Sequence, residues 1–226
     1  MKKIGLLGGM SWVSTIDYYR FINEGINSQL GGHNYAECII YSLNHGDIHS
    51  NSWTGSFELL LAGCESLKRS GAEAIALCAN TAHLFADRLQ EAVQLPFIHI
   101  GTATANAIKS QGLNKVALLG TKFTMEMDFY RQKLESYGLE VVTPATEETR
   151  DYIQYVVKDE LGKGIIKTDT KARFLAIAQE LIDQGAQGII LGCTEIPLLI
   201  SQDDFTVPVF DTTKIHSDAI VAYALS

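Results

Sequence analysis

Gly188-Ile-Ile-Leu-Gly-Cys-Thr-Glu-Ile-Pro197 carries an apolar strand straight into a cysteine, at the point where a helix should begin. The chain holds an echo of it. Ala74-Ile-Ala-Leu-Cys-Ala-Asn-Thr81 aligns with that stretch without a gap, pairing Leu191 with Leu77, Gly192 with Cys78, Cys193 with Ala79 and Thr194 with Asn80. The position that holds a thiol in one copy therefore holds a methyl group in the other.

The repeat extends outward from these two turns over almost the whole chain. Lys3-Ile-Gly-Leu-Leu-Gly8 matches Lys115-Val-Ala-Leu-Leu-Gly120, Asp17-Tyr-Tyr-Arg20 matches Asp128-Phe-Tyr-Arg131, Pro96 falls on Pro208 and Ala107-Ile108 on Ala219-Ile220, at offsets of 111 to 114. Apolar runs bounded by glycine or proline alternate with segments of helical period, the pattern of a βα repeat and a parallel sheet. The expected fold is α/β, with two pseudosymmetric lobes from an internal duplication, each a four-stranded parallel sheet flanked by helices. The lobes should comprise 1–98 with 212–226, and 99–211, with Gln111-Gly-Leu-Asn114 as the hinge. In the first lobe the strands are expected at Lys3–Leu7, Ala36–Leu43, Ala74–Cys78 and Leu95–Ile100. The first helix should bury the stripe Trp12, Ile16, Tyr19, Ile22, Ile26 and Leu30, and a polar loop should run from Asn44 to Ser52. Open parallel sheets bind ligands beyond the carboxyl ends of their strands, so two facing lobes would bring both turns to one cleft.

Composition narrows the function. With 46% hydrophobic and 19% charged residues the chain has the balance of a globular protein with a sizeable core. A net charge of −8 opposes binding to nucleic acid or to an anionic membrane surface. The basic and then apolar start, Met1 to Gly9, is too short for a signal peptide and reads directly into a strand. The four cysteines have no paired spacing, which argues against a disulfide framework or a zinc site and for a reducing cytoplasm. Cys38 and Cys64 read as small core residues. Cys78 does too, because strand alternation turns it away from the face that Ala79 presents.

Cys193 is different, since a thiol at the start of a helix is accessible and has its thiolate favoured by the helix N-terminus. Glu195 reads as the early acidic residue of that helix. Ser11, Asn80, Thr81, Thr121 and Thr194 offer hydroxyl and amide groups suited to a small carboxylate, and the Gly8-Gly9-Met10 and Gly120-Thr121 turns offer backbone N–H groups. Gly5-Leu-Leu-Gly-Gly9 lacks the spacing of a dinucleotide fingerprint. His45, His49 and His83 are scattered and make no metal site.

Several of these stretches together resemble the aspartate/glutamate racemase family of amino-acid racemases. They are Ile4-Gly-Leu-Leu-Gly-Gly-Met-Ser-Trp12 with Ser14-Thr15, the Asn80-Thr81 turn, Leu118-Leu-Gly-Thr121 with Thr124-Met125-Glu126, Leu191-Gly-Cys-Thr-Glu195, and Pro208-Val-Phe-Asp-Thr212 before Ile215-His216. The resemblance implies a cofactor-independent homodimer whose cleft places two thiols on opposite faces of a substrate α-carbon. One thiolate would remove the α-proton while the other thiol returns a proton from behind, with fixed donors holding the carboxylate. It assigns Cys193 as one acid/base and the Ala79 position as the other, with Met10, Ser11, Asn51, Asn80, Thr81, Thr121, Thr194 and Glu195 around an amino acid, by default acidic. The chain departs from that pattern at Ala79, which carries no proton. It also has no arginine in the Asn44–Asn51 loop, where Asn44, His45, His49, Asn51, Lys158 or Lys163 could meet a side-chain carboxylate instead. Two other readings stay open: one-thiol decarboxylation or isomerisation of a small carboxylate, and an amino-acid-binding protein without turnover.

Overall fold

The computed structural model describes residues 1–50 and 53–226; Asn51 lies outside the described residues, as does the side chain of His49. The chain divides into two compact units, Met1–Ala103 with Thr213–Ser226, and Thr104–Thr212.

In the first unit, β1 (Ile4–Gly8) is the middle of a parallel three-stranded sheet between β2 (Cys38–Ser42) and β3 (Ala74–Leu77). Registers of Ile4 with both Cys38 and Ala74 align the carboxyl ends of the strands. Alternation along these strands divides the core in two. Ile4, Leu6, Ala74, Ala76 and Cys78 face Tyr18, Ile22 and Ile26 of α1 (Trp12–Leu30) and Ile220, Val221 and Ala224 of α10 (Thr212–Leu225). Leu7, Ile75 and Leu77 face Leu60, Cys64 and Leu67 of α3 (Phe57–Arg69) and Leu89 and Val93 of α4 (Ala86–Val93). Each fully buried aliphatic side chain here stabilises by about 1.5–3 kcal/mol.

Three expectations need correction in this unit. The fourth strand is reduced to a parallel bridge between Ile75 and Phe97, held by Ile75 N–H to Pro96 O and Ile98 N–H to Ile75 O, each 2.9 Å. It stops there because α5 (Ile100–Ser110) begins at once, and the Ile100 N–H turns to a histidine side chain rather than to the sheet. The polar loop after β2 contains a short helix, α2 (His45–Ser50). The stripe expected to be buried on α1 holds only in part: Ile22 and Ile26 are buried, but Trp12 is 69% exposed, Ile16 54%, Tyr19 50% and Leu30 47%, and Thr15 and Tyr18 are buried in their stead. Both flanks of this helix are apolar, so periodicity alone could not choose between them.

In the second unit β4 (Lys115–Gly120) lies between β5 (Glu140–Val142) and β6 (Ile189–Gly192), and β7 (Val209–Asp211) completes a parallel sheet of order β5-β4-β6-β7. Its other helices are α6 (Lys122–Glu126), α7 (Asp128–Glu135), α8 (Glu147–Tyr155) and α9 (Thr168–Asp183). Phe174, Ile177, Ala178 and Leu181 of α9 cover Ala117, Leu119, Ile189 and Leu191. The β6–β7 contact has the same form as the bridge in the first unit, with Ile189 N–H bonded to Pro208 O at 2.9 Å. No helix among the described residues is long and apolar enough to cross a membrane.

Candidate active site

In each unit the turn after the first strand ends in a capped helix. Ser11 is the N-cap of α1, its hydroxyl accepting from Ser14 N–H, and Thr121 caps α6 in the same way through Thr124 N–H. Ser11 and Thr121 thus each commit one hydroxyl lone pair to the backbone, a bond that does not use the O–H. Thr15 Oγ1 accepts the Gly9 N–H at 2.9 Å and donates to Ser11 O, so one backbone donor counted toward the ligand is used internally. Gly9 has φ of 81° and a Cβ there would strike the Leu43 backbone, which is why this turn requires glycine. The Met10 side chain is buried in the core beneath α3.

At the end of β6, Cys193 follows Gly192, where an added Cβ would come within 2.8 Å of Leu118 Cδ1. The thiol is not the exposed, helix-activated group expected from sequence. It is only 7% exposed, and no helix follows; Ile196–Leu198 form a single 3₁₀ turn, too short for an appreciable dipole. Its Sγ–H donates to Glu195 Oε2 at 2.9 Å, and Thr194 Oγ1–H donates to the same oxygen at 2.8 Å. Burial first, then the charge and hydrogen bond of Glu195, hold the Cys193 pKa well above the ordinary thiol value. The Cys193 thiol is thus paired with the Glu195 side chain. Glu195, expected as an acidic residue in a helix's first turn, instead folds back on Cys193. The two-residue spacing was the available signal, and it was masked by the helix reading of Pro197.

In the first unit the equivalent turn follows β3. Ala79 is half-buried, while Asn80 and Thr81 are buried where a 3₁₀ turn (Thr81–Phe85) begins. Cys78 is fully buried against the α1 and α10 core, as alternation predicts, and burial pushes its thiol pKa up. His83 is a residue of this turn that the sequence pointed to only as a scattered metal candidate. Its Nδ1 lies 2.9 Å from Ala79 O, and its Nε2 lies 3.2 Å from the Ile100 N–H. The His83 ring stands 4.7 Å from that of His99 and 5.6 Å from that of His216, and burial holds the His83 pKa well below the ordinary imidazole value. Of the side chains that could meet a second carboxylate, Asn44 Oδ1 accepts from Gly46 N–H, Lys163 is paired with Asp159, and Lys158 is exposed. No group of three metal-ligating side chains comes together among the described residues, and the four cysteines are free.

Residues 7–220 match the family model of the Asp/Glu/Hydantoin racemases. The chain is 25% identical over 239 residues to the broad specificity amino-acid racemase RacX of Bacillus subtilis, covering 99% of this chain and 98% of that one. Among solved structures it is similar to a Yersinia pestis protein assigned to the Asp/Glu racemases, with 46% identity, full coverage of both chains and a TM-score of 0.94. It is also similar to an aspartate racemase homologue from Pyrococcus horikoshii, with 39% identity, full coverage of both and a TM-score of 0.88.

Proposed function

Because the chain belongs to the Asp/Glu/Hydantoin racemase family, we propose that it is an amino-acid racemase-type isomerase that moves the α-proton of an amino acid, aspartate or glutamate by default, through the Cys193 thiol. The Cys193–Glu195 contact is the observation that carries this reading. A buried thiol cannot act as base until its proton leaves, and Glu195 Oε2 is within hydrogen-bond reach to take it. The thiol proton passes to the Glu195 carboxylate, the thiolate takes the substrate α-proton, and the electron pair left on the α-carbon delocalises into the substrate carboxylate. Asn80 and Thr81 are the proposed donors to that carboxylate, the single Thr194 O–H being committed to Glu195. Acid and base are both side chains, so the scheme calls for neither pyridoxal nor flavin.

The resemblance gives the second acid/base to the Ala79 position, which holds only a methyl group. Return of a proton to the same face exchanges it with solvent without inverting the centre. The test is NMR of L- and D-aspartate and glutamate in D₂O, beside Ala79→Cys and Cys193→Ala variants. The expected result is exchange dominated by one enantiomer in the unmodified chain, inversion added by Ala79→Cys, and exchange abolished by Cys193→Ala. Exchange that survives Cys193→Ala would sink the assignment. The protonated state of Cys193 also favours a second reading, in which one thiol protonates a carbanion left by decarboxylation of a small dicarboxylate. Release of carbon dioxide without α-exchange of any amino acid would select it.

The proposal extends to a cytoplasmic homodimer. Trp12, Ile16 and Tyr19 form one exposed flank of α1, on the side where Asn23 Oδ1 receives the Ala36 N–H, and Tyr35 and Ile40 beside it are exposed as well. An uncharged aromatic flank of this kind, next to the edge strand β2, is the character of a self-association surface.

A further inference from the structure

His83 is buried, and its two ring nitrogens have different partners. The Ile100 N–H can only donate, so Nε2 must offer a lone pair, and the ring hydrogen sits on Nδ1, which gives it to Ala79 O. The ring is kept in place by the rings of His99 and His216. His216 is itself held by Tyr18 Oη at 2.8 Å and Ile98 O at 2.6 Å. A trans peptide is planar, with its carbonyl and N–H pointing in opposite directions, and no cis peptide bond occurs in the described chain. Fixing Ala79 O toward the imidazole therefore fixes the Asn80 N–H on the side away from it.

The other repeat controls the matching carbonyl by different means. Cys193 O, the counterpart of Ala79 O, accepts the Ile196 N–H at 3.2 Å, a backbone bond made within its own turn. Where one unit uses its own main chain, the other uses an imidazole that is also tied to the start of α5. Both units hold the carbonyl of the residue at the proton-transfer position.

We propose that His83 is a positioning residue which, through Ala79 O, sets the Asn80 amide as a donor to the substrate carboxylate; this rests on the reading of the Ala79 turn as part of the amino-acid site. His83 does not touch the reacting atoms. Its loss weakens ligand binding and raises the half-saturation concentration for α-exchange more than it lowers the maximal rate.

The experiment compares the unmodified chain with His83→Leu, which loses both ring contacts, and His83→Asn, whose side-chain N–H₂ takes the place of Nδ1–H. Binding of L- and D-aspartate and glutamate is measured by calorimetry, α-exchange by NMR in D₂O, and the Asn80 amide and His83 ring nitrogens by ¹⁵N NMR. The expected result is a ring protonated at Nδ1 at neutral pH, about tenfold weaker binding in His83→Leu with a displaced Asn80 amide signal, and recovery of most of the loss in His83→Asn. A His83 ring protonated at Nε2 in the unmodified protein overturns the assignment, whether or not the variants fold. So does His83→Leu, if it binds as tightly as the parent. A parent that binds none of the four amino acids overturns the functional reading, and this one with it.

Discussion

At residue scale the proposed chemistry starts from a thiol whose proton is held by its surroundings. Burial is the leading cause, and the Glu195 carboxylate adds to it. Glu195→Gln removes the charge and the proton acceptor together, which separates two effects. The pH profile for alkylation of Cys193 should move to lower pH, because a neutral amide no longer disfavours the thiolate. The α-exchange rate should nevertheless fall by about 10²-fold or more, the range expected for loss of a positioned base. An unchanged exchange rate would remove Glu195 from the proton path. Cys78 shows what sequence reading handled well at this scale, since strict alternation along β3 sent it to the core and left Ala79 at the turn. Glu195 shows what it missed. A carboxylate two residues from a thiol can point anywhere until the chain after it is known to be a 3₁₀ turn rather than a helix.

At element scale the duplication survives as a repeated capping device. Ser11 and Thr121 each accept an N–H three residues on, at the first turn after β1 and after β4. Ser11→Ala and Thr121→Ala should each cost about 1 kcal/mol, read as a fall of about 2–4 °C in melting temperature. A melt unchanged in either variant would show that its cap is replaceable by water. Strands β1, β3, β4 and β6 were readable because each is a short apolar run that ends in glycine or, for β3, is followed by the small Cys78 and Ala79. The weak fourth strand of the first unit was not, since Leu95-Pro-Phe-Ile-His-Ile100 has a strand's composition but loses its last residue to α5.

At the scale of the molecule, the buried histidines link stability to pH. His216 is held near pKa 4 by burial, against about 6.5 in an unfolded chain, with Tyr18, His83 and His99 around it. Its folded pKa is depressed, so the neutral native form is fully favoured above pH 6.5 and loses that advantage as pH falls toward 4. The linked contribution is on the order of 3 kcal/mol, and His83 acts in the same direction. Urea melts between pH 7.5 and 4.5 should show stability falling over this window, with a shallower slope for His216→Asn. An equal slope in that variant would exclude His216 as a source. The exposed flank of α1 gives a second expectation, that Trp12→Glu combined with Ile16→Lys lowers the sedimentation coefficient of the protein to that of a monomer while the melt stays cooperative. A monomeric parent would remove the self-association proposal.

The sequence by itself determined the α/β class, the duplication, the parallel sheets and the positions of the two turns, because these follow from local periodicity and from register between two copies of one pattern. Only the tertiary structure decided which flank of α1 is buried, that Cys193 is a carboxylate-bound thiol rather than a helix-activated thiolate, and that His83 is bonded to Ala79. Those outcomes depend on which groups meet after the chain folds. The apolar flank of a helix, the acidity of a thiol and the tautomer of an imidazole are all set by neighbours distant in sequence or by the path of the next few residues, and no periodicity records either.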